Sequence, residues 1–280
     1  MKKVCLVLTG MVLLLLIIAA AMSLFSRIQA GEKIGLIRIE GTITRSGEVI
    51  SSLKQFADDP SIKAIVLRID SPGGGVGPSQ EIYEEVKKAA AKKDIVVSMG
   101  SLAASGGYYI SVAATKIFAN PGTITGSIGV IMEVPNVQGL LSKIGVKAEI
   151  IKSGKNKDIG SLFKSLTPEQ RRILQGTLDN VHEQFIEAVA AGRKMPVDVV
   201  RKLADGRIFT GQQAKALGLV DQLGDLEDAI NAAKTMAGIK GRPVIVEKKR
   251  SKGILGIFKS KVSSFSDIYP SFKIGYLFAP

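Results

Sequence analysis

The chain has 280 residues, of which 46% are hydrophobic and 22% are charged, and its formal net charge is +13. This composition excludes a disordered chain and allows one large domain or two small ones. The 38 Lys and Arg residues are spread without an aromatic-interleaved basic stripe, which argues against nucleic-acid binding and fits a protein near anionic lipid. The single cysteine, Cys5, excludes a disulfide framework and a cysteine-based metal site.

The N-terminal segment 4–26 has no charged residue and is long enough to cross a bilayer as a helix. Lys2 and Lys3 precede it, so the positive-inside rule predicts an extracytoplasmic globular part. The alternative is a cleaved signal peptide with its small-residue site at 19–21, but the apolar run is longer than is usual there. The predicted division is a cytoplasmic N-terminus (1–3), a transmembrane signal anchor (4–26), a globular domain (27–247) and a basic, apolar tail (248–280).

After the anchor, the apolar patterns predict strands that alternate with helices, which is typical of an α/β fold. The predicted strands are 31–43, 62–69, 94–98, 116–119, 123–134, 146–152, 207–210 and 244–247. The predicted helices are 49–57, 79–92, 137–144, a long one from Thr167, 197–204, 211–217 and 226–237, and a short one follows the stretch described next. Ser79 is the predicted N-cap of the second of these.

The stretch 98–109, SMGSLAASGGYY, joins a predicted strand to a helix through small residues. A serine at the first turn of such a helix, here Ser105, has an exposed hydroxyl. The N–H groups behind it, beginning with that of Gly106, are unpaired, as in an oxyanion site. Taken alone, the stretch fits a helix cap better, because serine is a favoured cap residue.

A serine nucleophile needs a base, which is usually a histidine. The single histidine, His182, lies within the long predicted helix, where a structural role accounts for it, so the sequence disfavours a Ser-His-Asp triad. The remaining candidate is a lysine whose pKa is lowered by burial or by nearby positive charge. Lys157 lies in a glycine-containing turn with Lys152 and Lys155 nearby, while Asp158 would oppose them if it faces Lys157. The alternative is a solvated basic loop.

Four ordered motifs over 34–246 resemble the signal peptide peptidase A family, the membrane-anchored Ser-Lys proteases of the ClpP/crotonase superfamily. They are DSPGGGV at 70–76, SLAASGGYY at 101–109, TGSIGV at 125–130 and SGKNKDIGS at 153–161. The resemblance implies a ClpP/crotonase-like α/β fold of repeated strand-turn-helix units in its short single-domain form. It implies Ser105 as the nucleophile and Lys157 as the general base. Asp70 stands where the family commonly has an asparagine.

The resemblance also implies an oxyanion hole built from the glycines of the first motif and from the amide after the nucleophile. These are Gly74 and Gly106, with Gly73 and Gly75 as alternatives because three consecutive glycines leave the register open. The serine of the third motif, Ser127, is expected to hydrogen-bond the lysine amine and orient it.

The implied activity is endopeptidase cleavage of remnant signal peptides and other unfolded peptides at the outer membrane face, without a metal or cofactor. Family members form dome-like rings, so a homo-oligomer is expected, and no nucleic acid is involved. Extended substrates would bind by adding a strand beside the nucleophile.

Three other functions remain open from the sequence. An NfeD-type membrane-bound protease of the ClpP class shares the Ser-Lys chemistry but normally has further membrane spans. A crotonase-like acyl-CoA enzyme shares the fold but is usually soluble and uses paired carboxylates. In a non-catalytic scaffold, the serine and the lysine would be incidental.

Overall fold

The structure is a computed structural model that describes residues 11, 13–18 and 32–248, together with the backbone of 274–277. Helices and strands are numbered from residue 33 onward. The helices are α1 (Gly47–Asp58), α2 (Val76–Ala90), α3 (Gly106–Ser111), α4 (Gln138–Lys143), α5 (Pro168–Arg193), α6 (Val197–Leu203), α7 (Gly211–Ala216) and α8 (Leu226–Met236). The strands are β1 (Lys33–Glu40), β2 (Ile62–Ser71), β3 (Gly73–Gly75), β4 (Ile95–Ala104), β5 (Lys116–Ala119), β6 (Ile124–Gly126), β7 (Ile131–Met132), β8 (Ile208–Thr210), β9 (Gln222–Leu223), β10 (Val244–Glu247) and β11 (Ile274–Leu277).

The predicted anchor at 4–26 lies mostly outside the described residues. Residues 11 and 13–18 within it are helical, but no helix in the described ranges is both long enough and apolar enough to cross a membrane. Cys5, the two lysines before the anchor and the alternative cleavage site also lie outside these ranges. Of the predicted tail, residue 248 and strand β11 are described.

Parallel strands form the central sheet. Within the described part of the chain, its order is β10-β1-β2-β4-β5-β9, and each neighbouring pair along this path is parallel. The far end of β4 also pairs with β6, which pairs in turn with β8 in the antiparallel sense. Parallel neighbours need crossover connections, and α1 supplies one between β1 and β2. This mixed α/β architecture with a central sheet fits the predicted ClpP/crotonase-like fold.

Both faces of the sheet are covered, which explains why its central strands are continuously apolar. Successive residues point to opposite faces, so Leu67 and Val97 pack in the core beneath α1, α2, α3 and α5. Their neighbours Val66 and Val96 pack on the other face against α8. The larger core thus lies on the side of the sheet that carries the helix after Ser105.

Most predicted elements are confirmed within a few residues, but three predictions are wrong. The predicted strand 123–134 is broken at 127–130 into β6 and β7, which pair in different sheets. No strand forms at 146–152, because no strand among the described residues lies beside this segment, and Ile151 in it is 94% exposed. The N-cap of α2 is Gly75, so Ser79 lies inside the first turn. Helix α2 can begin before Pro78 because the first-turn N–H groups have no helical acceptor, so the missing N–H of proline costs nothing there.

Candidate active site

Ser105 lies between the carboxyl end of β4 and the amino end of α3. Its backbone has φ 53° and ψ −116°, a conformation that residues with a side chain rarely adopt. The Ser105 N–H donates to the carbonyl oxygen of Gly126 at 2.8 Å, and its carbonyl oxygen accepts from the Tyr109 N–H at 2.8 Å. These bonds hold a strained turn of the kind that occurs at functional sites.

The residue Ser105 is 1% exposed, whereas the sequence predicted an exposed hydroxyl. The difference arises because β3 and β11 both lie against α3, the helix that Ser105 precedes. The nucleophile position is therefore enclosed in this structure.

Two tyrosines fix the short helix α3 in the core. The Tyr108 hydroxyl donates to the carbonyl oxygen of Leu219 at 2.9 Å, and burial raises the pKa of this phenol. The Tyr109 ring packs on the rings of Tyr83 and Phe185 at centroid distances of 4.8 and 4.9 Å. A helix of only six residues has little stability of its own, so these contacts hold the turn at Ser105.

In the glycine strand β3, main-chain groups of Gly73 and Gly75 pair with Ile43, whereas those of Gly74 do not. The Ile43 N–H donates to Gly73 O at 2.8 Å, and the Gly75 N–H donates to Ile43 O at 2.9 Å. The Gly73 N–H donates to the Ser71 hydroxyl at 3.1 Å. Main-chain groups alternate in direction along a strand, so those of Gly74 face the other side. This geometry favours Gly74 over its two neighbours, and its role as an oxyanion donor stays a prediction.

Gly106 begins α3, so its N–H has no acceptor within the helix. A Cβ at this position would lie 2.6 Å from the Ser79 hydroxyl oxygen and 3.3 Å from the Gly74 nitrogen. Only a residue without a side chain fits this gap. The structure thus brings the two predicted oxyanion donors, Gly74 and Gly106, together beside Ser105.

Ser127 lies next to the nucleophile turn, because Gly126 pairs with Ala104 at the end of β6 and accepts the Ser105 N–H. Ser127 is 8% exposed and has φ 51°. Its N–H donates to the Arg207 carbonyl oxygen at 2.9 Å. The motif that contains Ser127 is therefore adjacent to Ser105, as its predicted role requires, and that role stays a prediction.

Asp70 bridges two strands just before the site. Its carboxylate accepts from the Leu102 N–H at 3.1 Å, where the pairing of β2 with β4 shifts its register. A Cβ at Gly100 would lie 2.7 Å from the carboxyl carbon of Asp70, so the two strands come close at this point. An asparagine could accept the same bond through its amide oxygen, and the aspartate therefore preserves the local hydrogen bonding.

The loop that carries Lys157 is held by its neighbour Asp158. The Asp158 carboxylate accepts from Lys152 Nζ at 2.6 Å and from Lys164 Nζ at 2.7 Å, and its side chain is 8% exposed. The hydrogen bonds from these two ammonium groups lower the pKa of Asp158 to about 2. Asp158 therefore faces Lys152 and Lys164, which leaves Lys157 outside the cluster.

Lys157 itself is exposed. Its N–H donates to Gly154 O at 3.0 Å, but within the described residues its Nζ has no hydrogen bond or ion pair. Its neighbour in sequence, Lys155, pairs with Glu169 at 2.5 Å. Within one chain the structure thus does not join Lys157 to the enclosed Ser105. It does not join His182 to Ser105 either, because Nε2 of His182 is buried without a partner.

The structure contains a second sheet that the sequence did not predict. Strand β11 forms it with β3 and β7. The strand β11 is antiparallel to both, with Tyr276 opposite Gly74 and Gly275 opposite Ile131. A segment of the tail therefore occupies the position beside Gly74 in extended conformation. Its four residues are too short and too glycine-containing to stand out as a strand signal.

Comparison with known proteins points to a peptidase family. The family model described as "Peptidase family S49" matches residues 87–240. "Putative protease slr0021" of Synechocystis sp. is 49% identical over 211 residues, which are 74% of this chain and 76% of that protein. "Putative signal peptide peptidase SppA" of Enterococcus faecium is 38% identical over 239 residues, 80% of this chain and 69% of that protein.

A plant relative matches over a smaller share of its length. "Serine protease SPPA, chloroplastic" of Arabidopsis thaliana is 36% identical over 219 residues, which cover 76% of this chain and 32% of that protein. The family match spans more than half of this chain, and the relative in Synechocystis is matched over most of both chains. The chain therefore belongs to peptidase family S49 and is a serine protease.

Proposed function

We propose that this serine protease uses Ser105 as its nucleophile and Lys157 as its general base, and that it degrades remnant signal peptides and other unfolded peptides. The observation that carries the proposal is the strained backbone of Ser105 at the start of α3, beside Gly74 and Gly106. A nucleophile held at a helix start beside main-chain N–H groups has the arrangement that acyl transfer requires.

The reaction proceeds through an acyl-enzyme. Neutral Lys157 takes the proton from the Ser105 hydroxyl as its oxygen attacks the scissile carbonyl carbon. The N–H groups of Gly74 and Gly106 hold the negative oxygen of the tetrahedral intermediate. Lys157 then gives the proton to the leaving amine, and it later activates the water that releases the acyl group. Ser127 orients the lysine amine towards the nucleophile, as the third group does in a triad.

The position of β11 supports a binding mode for extended peptides. A peptide that replaced β11 would pair with β3 and β7 on its two sides and would run antiparallel to both. Its main chain would then lie beside Gly74, and main-chain pairing gives affinity without a demand for one sequence. Such a groove accepts unfolded chains and rejects folded ones, because folded proteins do not offer a free extended segment.

The segment that carries Lys157 supports assembly into a homo-oligomer. We name the segment 129–169 the Lys157 arm. None of its residues is buried. Its exposed apolar residues are Ile131, Leu140, Ile144, Val146, Ile150, Ile151 and Phe163. An apolar surface of this extent usually marks an interface. A neighbouring copy that covered the arm would also bring its own Ser105 to Lys157, and we infer that the dyad forms between copies in a ring.

A location at the extracytoplasmic membrane face completes the proposal. The uncharged segment 4–26 is long enough for a signal anchor, and the net charge of +13 favours contact with anionic lipid. An enzyme held there would meet signal peptides that remain in the bilayer after secretion.

Fluorophosphonate labelling tests the proposed nucleophile. The wild-type protein is expected to form a covalent adduct, and the Ser105→Ala variant is expected to form none, because the reagent reacts with an activated serine oxygen. Mass spectrometry of the labelled peptide should locate the adduct at Ser105. Equal labelling of the two proteins would contradict the proposal and would point to another serine.

Removal of the tail is expected to raise activity. If β11 fills the groove in about nine of ten molecules, a chain that ends at residue 248 should show a KM about 10-fold lower with kcat unchanged. The measurement is steady-state hydrolysis of an unstructured fluorogenic peptide. A full-length Tyr276→Pro variant is a second test, because proline removes a strand N–H without shortening the chain. Its KM should fall as well. Unchanged KM in both proteins would contradict competition by β11.

A further inference from the structure

Ser79 has a buried hydroxyl group without a hydrogen-bond partner. Ser79 lies in the first turn of α2, it is 0% exposed, and its Oγ has no hydrogen-bond partner. In the described part of the chain it shares this property with Nε2 of His182. Burial of an unpaired hydroxyl is costly, so each such group in a native structure requires an explanation.

Ser79 lies where the segments of the candidate active site meet. Its Oγ is 2.6 Å from the position of a Cβ on Gly106, and that same position is 3.2 Å from Gly73 Cα and 3.3 Å from Gly74 N. The hydroxyl therefore borders the gap between the start of α3 and the glycine strand. These are the two segments that carry the predicted oxyanion donors.

Other buried hydroxyl groups of this region are already engaged. The Ser71 hydroxyl donates to Gly41 O at 2.6 Å, and the Ser111 hydroxyl donates to Gly107 O at 2.7 Å. Their hydrogen atoms are held in place by main-chain acceptors. The Ser79 O–H has no such acceptor and can rotate.

We propose that Ser79 is a further polar residue of the oxyanion site, and that its free O–H dipole turns towards the substrate oxygen as negative charge develops there. This inference rests on the proposed function. A dipole in a buried site with little water acts more strongly than the same dipole in solution. The substrate carbonyl is neutral before attack, so the effect arises mainly in the transition state and changes kcat more than KM.

Ser79→Ala tests this role. We expect kcat to fall about 10-fold with KM unchanged, less than the loss seen when a direct oxyanion donor is removed. Inhibition by a peptide aldehyde should weaken by the same factor, because the aldehyde adduct with Ser105 carries the same oxyanion. Ser79→Cys keeps nearly the same volume but has a weak S–H donor, so it should show the same loss. Ser79→Cys can also be measured in place of the alanine variant if that variant does not fold.

Ser52→Ala is the matched control, because Ser52 is 7% exposed and its hydroxyl donates to Glu48 O at 2.8 Å on α1, a helix that contributes nothing to the site. This control should keep the wild-type kcat. Unchanged kcat and aldehyde affinity in Ser79→Ala would overturn the inference, and so would full activity of Ser79→Cys, which would show that volume alone matters. If fluorophosphonate labels Ser105 in neither the wild type nor the variant, it is the proposed function that fails.

Discussion

Ser105→Ala is expected to reduce peptide hydrolysis by ~10⁴- to 10⁶-fold, because no other group can form the acyl-enzyme once the hydroxyl is gone. The fold should persist. The turn is held by main-chain bonds from the Ser105 N–H to Gly126 and from the Tyr109 N–H to Ser105, and alanine keeps both. The measurement is kcat/KM on a fluorogenic peptide together with the thermal unfolding midpoint.

Ser111→Ala is the control for Ser105→Ala. Ser111 is a buried serine on the same helix, and its hydroxyl bonds within the helix to Gly107 O at 2.7 Å. Its replacement should change stability by about 1 kcal/mol or less and leave activity within a few-fold of the wild type. Activity of Ser105→Ala above a tenth of the wild-type value would refute the nucleophile assignment.

Lys157→Ala is expected to lower kcat/KM by ~10²- to 10⁴-fold, the contribution of a general base. Lys157→Arg should be equally impaired, because a guanidinium group keeps its proton and cannot accept another. The control is Lys155→Ala, since Lys155 lies in the same loop but pairs with Glu169 on the surface. The measurement is steady-state peptide hydrolysis, and full activity of either Lys157 variant would contradict the assignment.

Mixing the two inactive variants tests where the dyad forms. In a mixed oligomer, a Ser105→Ala chain supplies an intact Lys157 and a Lys157→Ala chain supplies an intact Ser105. If the dyad forms between copies, as we propose, some sites regain both groups and activity returns after the subunits are exchanged. No recovery in a verified mixed oligomer would mean that both groups come from one copy.

Local patterns in the sequence predicted much of this fold. The parallel strands β2 and β5 begin and end near the predicted residues because buried strands are continuously apolar and are followed by turn residues. The start of α5 was also predictable. The Thr167 side chain accepts from the Gln170 N–H, and Pro168 follows Thr167. This capping box involves only residues close in sequence, so it can be predicted from them.

Elements that depend on distant partners were not predictable in this way. The segment 146–152 alternates like a strand, yet within the part of the chain that the structure describes no strand pairs with it, and it stays exposed. β11 forms because β3 and β7 offer free edges to it, and those edges exist only in the folded chain. The place of Ser79 inside α2 depended on the helix starting at Val76, before Pro78.

The sequence by itself determined the α/β class, the order of the elements and the four motifs that contain the candidate site residues, because these depend on residues close together in the chain. Only the tertiary structure decided that the main-chain groups of Gly74 face away from Ile43, that Lys157 lies apart from Ser105 in one chain, and that the tail lies beside the glycine strand. Each of these depends on which main-chain groups are already paired and on which surfaces meet, and residues far apart in sequence decide both.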